Sequence, residues 1–455
     1  CRISVLQQNK QEVYTRAILW KDRCSYDDPT GWVNSVKTLI RDASAAVDGL
    51  DTTLRSICVS GTSASCVLMD IKTGEASTAA RMYDFSVSSL SKGKDVLDRL
   101  AAAAPPKHTA VSPTGSLAKL LAWQAEGPLT DAQVLAHQAD YVISHLCHED
   151  NDLPYKVVSD WHNCLKLGYD VRKLEWPSWL TTLLKTEGLD AKRVLPDDVF
   201  SPGQVVGTVG ADVAAELKIP VNTKLVGGTT DSNAAFMAAA GTPSLGTAVT
   251  SLGSTTAIKL LSPMYVEDAT FGVYSHRFPQ VLLADDDSSD SNDEAWLVGG
   301  ASNVGCAIFR KLEFSNDELA ELSKAIDPMV RSPLEYYPLL QTGERFPVAD
   351  PNKQPVLGPV PDTREEYLHG LLESITKVEI DGYARLAAMG APWPLQVWTC
   401  GGGARNPTWI RMRQARLQEE CDNLDVTVAV ASNVEASYGA ALLAAALFVD
   451  ASKTS

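Results

Sequence analysis

Apolar positions in the first part of the chain switch between two periods. Arg2-Ile3-Ser4-Val5-Leu6 and Val13-Tyr14-Thr15-Arg16-Ala17-Ile18-Leu19 read as two strands around the polar turn Gln7 to Gln11. From Trp32 the period lengthens, and Trp32, Val36, Leu39, Ile40 and Ala43 share one face of a helix reaching Val47. Ile57-Cys58-Val59-Ser60 then predicts a strand that runs into Gly61-Thr62-Ser63-Ala64-Ser65, followed by a strand from Cys66 to Asp70. That small, hydroxyl-rich turn can hydrogen-bond a polyol or simply close a hairpin, and its composition alone favours the hairpin. Leu117–Gln124 and Thr130–Leu146 read as helices, the second capped by Thr130-Asp131. Ser159-Asp160-Trp161-His162-Asn163 reads as a further helical segment, and a short helix begins at Trp176. Val205–Val209 has the look of an edge hairpin, and Ala211–Leu217 of a helix.

One stretch organises the chemistry. Thr223–Val226 predicts a buried strand, Gly227 and Gly228 a tight turn, and Ser232–Ala240 a packed helix of small residues. Asp231 then sits at the mouth of a strand-to-helix turn, where open α/β sheets hold ligands. A carboxylate there can take a proton from a hydroxyl, or it can serve only as the N-cap of the following helix. The pattern restarts after Gly241. Ala248–Leu252 and Ala257–Leu261 read as strands joined by Gly253-Ser254-Thr255-Thr256, which either cradles phosphate oxygens or makes a plain tight turn. Trp296-Leu297-Val298-Gly299-Gly300 restores order after a run of six acids in residues 285–294, and a helix follows at Val304–Lys311. A long helix is expected over Thr363–Met389 and a strand over Leu395–Thr399. The glycine turn Gly401-Gly402-Gly403-Ala404-Arg405-Asn406-Pro407 precedes a helix over Thr408–Leu417. A strand over Val426–Ala431 and an alanine-rich helix over Glu435–Leu447 close the chain.

Composition narrows the partners. At 455 residues the chain has room for two or three domains, and 45% hydrophobic with 21% charged residues is ordinary for a globular protein. A net charge of −16 argues against nucleic acid or an anionic membrane as partner, yet leaves room for a phosphate-bearing ligand held by backbone N–H groups. No apolar run reaches the roughly 20 residues of a bilayer span. Nine cysteines without a CxxC pair read as reduced thiols of a soluble protein in a reducing compartment, and the localisation expected is plastid or cytoplasm. His145, Cys147, His148, His162 and Cys164 are metal-capable types, but their spacing matches no common zinc pattern, and ordinary buried residues are the favoured reading. Neither a Rossmann GxGxxG with its downstream acid nor a GxxxxGK[ST] loop is present.

Taken in order, GGTTD at 227–231, LGSTT at 252–256, WLVGGASN at 296–303, GGGARN at 401–406 and EASYGAAL at 435–442 resemble the FGGY family of carbohydrate kinases. Within that family the likeness is nearest to plant and cyanobacterial xylulose kinase-like D-ribulose kinases. It implies an α/β protein of the actin-like (ribonuclease H-like) ATPase fold, two domains with an interdomain cleft. The domains expected are residues 1–238 with a closing helix in 432–455, and residues 239–431. By the same resemblance Asp231 is the base that deprotonates the attacking sugar hydroxyl. Gly253, Ser254 and Thr255 match a phosphate loop. Gly402, Gly403 and Asn406 match the adenosine site, with Trp296 near the base, and Ser63 matches a sugar-contacting serine. Asp160, with Trp161 and Asn163, has the residue types to line the same sugar pocket. ATP and Mg²⁺ are the implied cofactors, with the metal ligands and the oligomeric state unassigned. The expected reaction is ATP-dependent phosphorylation of a free ketopentose, D-ribulose first and D-xylulose next. The opening Cys1-Arg2-Ile3-Ser4-Val5 resembles the strand that follows the family's Asp-x-Gly-Thr loop. That loop and the strand before it are therefore expected to be missing, and the alternative expectation is a catalytically weak pseudokinase that binds sugar or nucleotide.

Overall fold

The polar turn at Gln7–Gln11 does close a hairpin. In the computed structural model, which describes residues 1–148, 153–284, 294–421 and 424–448, β1 (Arg2–Leu6) runs antiparallel to β2 (Glu12–Ala17). The chain forms two α/β units. The first comprises Cys1–Gly241, Pro279–Leu282 and the segment from Glu435 onward, and the second comprises Thr242–Phe278 and Leu283–Val434. The acidic run expected as a loop falls, apart from Glu294, outside the described residues.

In the first unit, α1 (Pro29–Ala46) starts where Asp28 accepts a hydrogen bond from Thr30 N at 3.0 Å and Pro29 supplies the preset φ of a first turn. Its Trp32, Leu39, Ile40 and Ala43 are buried, the face read from their spacing. β3 (Ser56–Gly61) and β4 (Cys66–Asp70) flank the Thr62–Ser65 turn but do not pair. The expected hairpin is absent because β4 takes a different partner, running antiparallel to β5 (Gln133–His137) with Cys66 opposite His137. β4 is apolar and buried at every step from Cys66 to Met69. Its Val67 and Met69 join a core with Trp32 and Tyr141, while Cys66 and Leu68 join another with Leu117 and Leu121 of α2 (Ser116–Glu126). A strand buried on both faces shows no alternation, so its pairing leaves no trace in the pattern.

The same ambiguity explains the second correction. Residues 130–146, expected as one helix, divide into β5 and α3 (Gln138–Cys147). The cap is not Thr130-Asp131 but a capping box in which His137 and Asp140 bond each other's backbone reciprocally. β6 (Val158–Asp160) precedes the one-turn α4 (Trp161–Cys164) and lies parallel to β7 (Asp198–Phe200). β8 (Val205–Thr208) and β3 flank β9 (Lys224–Thr230), β8 antiparallel and β3 parallel to it, and α5 (Asp231–Ala240) follows directly. Gly227 and Gly228 therefore lie inside β9 and do not form a turn. A Cβ on Gly228 would overlap the Val59 carbonyl of β3, so glycine serves close approach there.

The second unit is built on one six-stranded sheet in the order β12-β13-β11-β10-β14-β15. β10 (Thr247–Leu252) and β11 (Thr256–Ser262) form a hairpin, and β12 (Tyr274–Arg277) and β13 (Trp296–Ser302) extend it antiparallel. On the other side β14 (Gln396–Cys400) and β15 (Thr427–Val430) add in parallel. α6 (Asn316–Ala325), the long α7 (Arg364–Ala388) and α8 (Pro407–Glu420) bring Leu368, Leu371, Ile375, Trp409 and Met412 into one apolar cluster. Glu379 of α7 and Arg413 of α8 meet in a fully buried bidentate pair, with both bonds at 2.6 Å. Thr250 donates to Glu379 and Thr399 accepts from Arg413, so the pair is saturated by the two central strands. The last helix, α9 (Ala436–Ala446), returns to the first unit and packs on α5 so closely that a Cβ on Gly439 would collide with the Ala234 carbonyl.

Candidate functional site

In the first unit the candidate residues gather at one end of the β3–β9 pair. Gly61 stands opposite Thr230, so the Thr62–Ser65 turn and the start of α5 leave the sheet side by side. Asp231 is the first residue of α5. The N-cap is Thr230, which makes no side-chain capping bond, and Asp231 Oδ1 accepts from the adjacent Ser232 N at 2.7 Å. Asp231 is thus the first helical residue and not the N-cap, and its half-buried side chain lies in the first turn of α5.

Ser63 is half-buried at the crest of its turn, and the turn is tightly held. Gln138 Oε1 accepts from Thr62 N at 3.0 Å and from Thr62 Oγ1 at 3.1 Å. Lys119, fully buried on α2, donates to Ala64 O at 2.8 Å and Met82 O at 2.7 Å. Burial pulls the Lys119 ammonium down to about 8. Ala64 itself has φ +62°, a left-handed conformation disfavoured for a residue with a Cβ, and the lysine bond helps hold it there. Sequence reasoning missed both supports. Lys119 had left a signal, a lone cation amid Leu117, Ala118, Leu120 and Leu121, whereas Gln138 had left none.

Asp160 is 1% exposed. Its Oδ1 accepts from His162 N at 2.9 Å and Asn163 N at 3.0 Å, and its Oδ2 accepts from Asn163 Nδ2 at 2.6 Å. The carboxylate is thus engaged in shaping the first turn of α4. Burial first, then the charge of Asp140, push it up to about 6 despite those bonds. Gln138 Nε2, Asp140 Oδ1 and Asn163 Oδ1 are buried with no hydrogen-bond partner among the described residues. Buried polar atoms of both kinds call for a partner that both donates and accepts, as a hydroxyl does. Of the metal-capable residues, His162 Nδ1 lies 2.7 Å from Thr229 Oγ1, and His145 Nδ1 lies 2.8 Å from Tyr141 O.

In the second unit two glycine turns meet. β10 and β14 are hydrogen-bonded neighbours, with Ser251 opposite Cys400, so the turns that follow them adjoin. Gly401 has φ +84°, and a Cβ there would lie 2.6 Å from Leu252 O and 3.0 Å from Gly253 N, so only glycine fits. Gly402 is exposed with open space where a Cβ would point. Gly403 is buried over the ring of Trp409, which anchors the turn by donating its Nε1 to Thr376 Oγ1 at 2.9 Å. Asn406 caps α8 by accepting from Trp409 N at 3.0 Å, and its Nδ2 donates to Ser323 Oγ of α6 at 2.8 Å. Gly253, Ser254, Thr255, Gly402, Gly403 and Asn406 are accordingly brought to one end of one sheet.

Trp296 is not among them. It stands opposite Ser262 at the far end of β11, whereas Ser302 at the other end of β13 stands opposite Thr256 beside the glycine turn. Six strand steps separate the two ends, roughly 20 Å. Trp296 is 3% exposed, packed edge-on against Tyr265 at 5.1 Å with the Arg277 guanidinium over its ring. It is a core residue, and it lies at the other end of the sheet from the glycine turns.

The turn at Ser254 and Thr255 fits a phosphate. Neither hydroxyl has a hydrogen-bond partner among the described residues, Ser254 is exposed, and the backbone behind is fixed by Cys306 N donating to Gly253 O at 2.8 Å. Among the described residues no three His, Cys, Asp or Glu side chains come together as a metal site, and no helix is long and apolar enough to cross a membrane.

Residues 248–448 match the family model described as FGGY family of carbohydrate kinases, C-terminal domain. Solved structures similar to the chain include a ligand-bound xylulose kinase from Lactobacillus acidophilus, with 17% identity, a TM-score of 0.72, and coverage of 98% of this chain and 87% of that one. A gluconate kinase from the same organism is 16% identical with a TM-score of 0.73, over 100% of this chain and 88% of that one. The ADP-bound glycerol kinase of Plasmodium falciparum is 16% identical with a TM-score of 0.76, over 97% and 86%. At such identities the structures establish the shared fold, the two-domain actin-like α/β architecture.

Proposed function

We infer that the chain is an FGGY-family carbohydrate kinase that transfers a phosphoryl group from ATP to a sugar hydroxyl. The observation that carries this reading is the junction of the Gly253 and Gly401–Gly403 turns on neighbouring strands β10 and β14, within the segment that matches the family model. ATP, when bound, supplies the electrophilic γ-phosphoryl group. The Ser254 and Thr255 hydroxyls and backbone N–H groups hold phosphate oxygens. Gly402, bare of side chain, lets the nucleoside lie against the backbone, and Asn406, itself held by Ser323, fixes the far edge of that turn. Asp231, in the first turn of α5, takes the proton of the attacking hydroxyl. Ser63, presented by a turn that Lys119 and Gln138 hold, orients the sugar. Asp160 acts through the neighbourhood it shapes, where the unpartnered Gln138 Nε2 and Asn163 Oδ1 suit adjacent hydroxyls. The substrate proposed is a free ketopentose, D-ribulose before D-xylulose. Similarity to xylulose, gluconate and glycerol kinases is compatible with any polyol, so the choice of ketopentose rests on the family resemblance of the five motifs.

The test is a coupled ADP-release assay with ATP and, in parallel, D-ribulose, D-xylulose, D-gluconate and glycerol. The largest kcat/KM is expected with D-ribulose. Preference for gluconate or glycerol overturns the ketopentose assignment. ADP binding by calorimetry without phosphorylation of any of the four makes the protein a nucleotide-binding pseudokinase.

A further inference from the structure

Lys119 is a buried cation without a carboxylate. It stands on α2 among Leu117, Ala118, Leu120 and Leu121 and is 0% exposed. Charges so placed are ordinarily paired with an opposite charge. The hydrogen-bond partners of this ammonium among the described residues are instead two main-chain oxygens, Ala64 O and Met82 O. Both lie next to one bridge, in which Cys66 N donates to Arg81 O at 3.1 Å and Arg81 N to Cys66 O at 2.9 Å. From that bridge one chain leads back through Ala64 to Ser63, and the other leads on to Met82. Their carbonyls converge on the same nitrogen, so the two dipoles repel unless a donor stands between them. The turn has a second hold on its other flank, where Gln138 Oε1 accepts from Thr62 N and Thr62 Oγ1. Ser63 is thus held from both sides. The Lys119 side bears on Ala64, the strained residue at φ +62°.

The surroundings leave this ammonium open to titration. Burial disfavours its charge most; Cys66 of β4 and Asp84 oppose that, while Lys166 and Arg81 add to it as like charges. Arg81 is itself paired with Glu126, and Asp140 with His137. The helix over Gly93–Ala103, packed on α2, buries only Gly93, Val96 and Leu100, and His108 lies edge-on to Trp179 at 5.2 Å. The balance sets Lys119 at about 8, within reach of mildly alkaline solution.

We propose that Lys119 is a positioning residue whose protonated amine clamps the Ser63 turn in the form that binds substrate, so that substrate affinity falls when the amine loses its proton. The proposal rests on the kinase reading above, in which Ser63 orients the sugar. A neutral amine keeps two N–H donors for two carbonyls, so the turn loosens and does not collapse. Hydrogen bonds from a charged donor contribute roughly twice as much as neutral ones, which sets the loss of affinity at about fivefold. Stability moves the opposite way. With a folded value of about 8 against the ordinary 10.5, the unfolded chain binds the extra proton between those limits, and the fold gains as pH rises through them. A lysine that only holds the core together gives no reason for affinity to fall while stability rises.

The test is calorimetric titration without ATP, from about pH 7 to 9.5, with D-ribulose, D-xylulose, D-gluconate and glycerol, following whichever binds tightest. Its Kd is expected to rise about fivefold with an inflection near pH 8, while the urea midpoint of the parent rises relative to that of Lys119→Met over the same range. Lys119→Arg, charged throughout, should hold Kd level with pH, and Lys119→Met should hold it level at the weaker value. Lys166→Gln, at a half-buried position outside the clamp, keeps the test decisive if both of these fail to fold. Removal of that like charge should move the inflection to higher pH. A parent Kd constant within a factor of two across the range overturns the proposal and leaves the kinase reading standing. A rise that persists in Lys119→Arg, or an inflection indifferent to Lys166→Gln, assigns the titration to another group and overturns it too. Binding of none of the four compounds at any pH overturns this proposal and the kinase reading together.

Discussion

At the scale of single residues, Asp231 and Asp160 are two carboxylates with opposite surroundings. Asp231 stands half-buried at the first position of a helix, and Asp160 is sealed beneath its own hydrogen bonds. Asp231→Asn is expected to lower kcat with D-ribulose by about 10²–10⁴. Its stability should fall by no more than about 1 kcal/mol, because only a charge–dipole term is lost. Turnover within a factor of two of the parent would remove Asp231 from the base role. Asp160 bears on stability. Its folded value of about 6 lies above the ordinary carboxylate value of 3.8, so the folded protein holds an extra proton between those limits. Stability therefore falls as pH rises through that window, by up to roughly 3 kcal/mol. Asp160→Asn should flatten the slope between pH 4 and 6, as read from urea midpoints across that range. The position of Asp231 between a strand and a helix was legible because a strand-to-helix switch is a local pattern. The distance of Trp296 from the glycine turns was not legible, because which end of a seven-residue strand adjoins a turn is decided by register with β11, a long-range fact.

At the scale of elements, the legible pieces were those with a period. α1, α7, α8 and the β1–β2 hairpin follow their apolar spacing and caps closely. β5 did not, since Gln133-Val134-Leu135-Ala136-His137 is a buried strand whose apolar run reads equally well as helix. Nor did the partners of β3 and β4, which are settled by cores on both faces. Packing between elements also depends on positions that propensity cannot flag. Gly439 is a weak helix former in α9, yet its missing Cβ is what admits the Ala234 carbonyl of α5. Gly439→Val should lower stability by about 1–3 kcal/mol through displacement of the two helices. A thermal midpoint unchanged or raised by this substitution would show that α9 can move aside without cost.

At the scale of the whole molecule, the thiols behave as a set. All nine cysteines are unpaired, and Cys66, Cys164 and Cys421 are buried. Burial pushes Cys66 up to about 12 and Cys306 up to about 11, and raises Cys58 and Cys164 as well. A thiolate, not a thiol, attacks a disulfide reagent, so these positions react slowly while the fold stands. Titration with a chromogenic disulfide should find nine equivalents in denaturant, with the three buried thiols silent under native conditions at pH 8. Fast native reaction of all nine would contradict the packing around β4 and α4. Length left room for two or three domains, and the family resemblance carried by the motifs implied two.

The seat of Trp409 has an optical consequence. Its indole lies under Gly403 and is tied to Thr376, while its own backbone anchors Asn406. Any load on the Gly402–Asn406 turn is therefore passed to a chromophore shielded from quenchers, which makes the turn its own strain gauge. Among ten tryptophans, this one should carry the emission change when ADP is titrated, and Trp409→Phe should erase it. Trp296, at the opposite end of the sheet, should stay dark to the nucleotide. A signal that survives Trp409→Phe and disappears in Trp296→Phe would place the nucleotide at the other end of the sheet from the glycine turns.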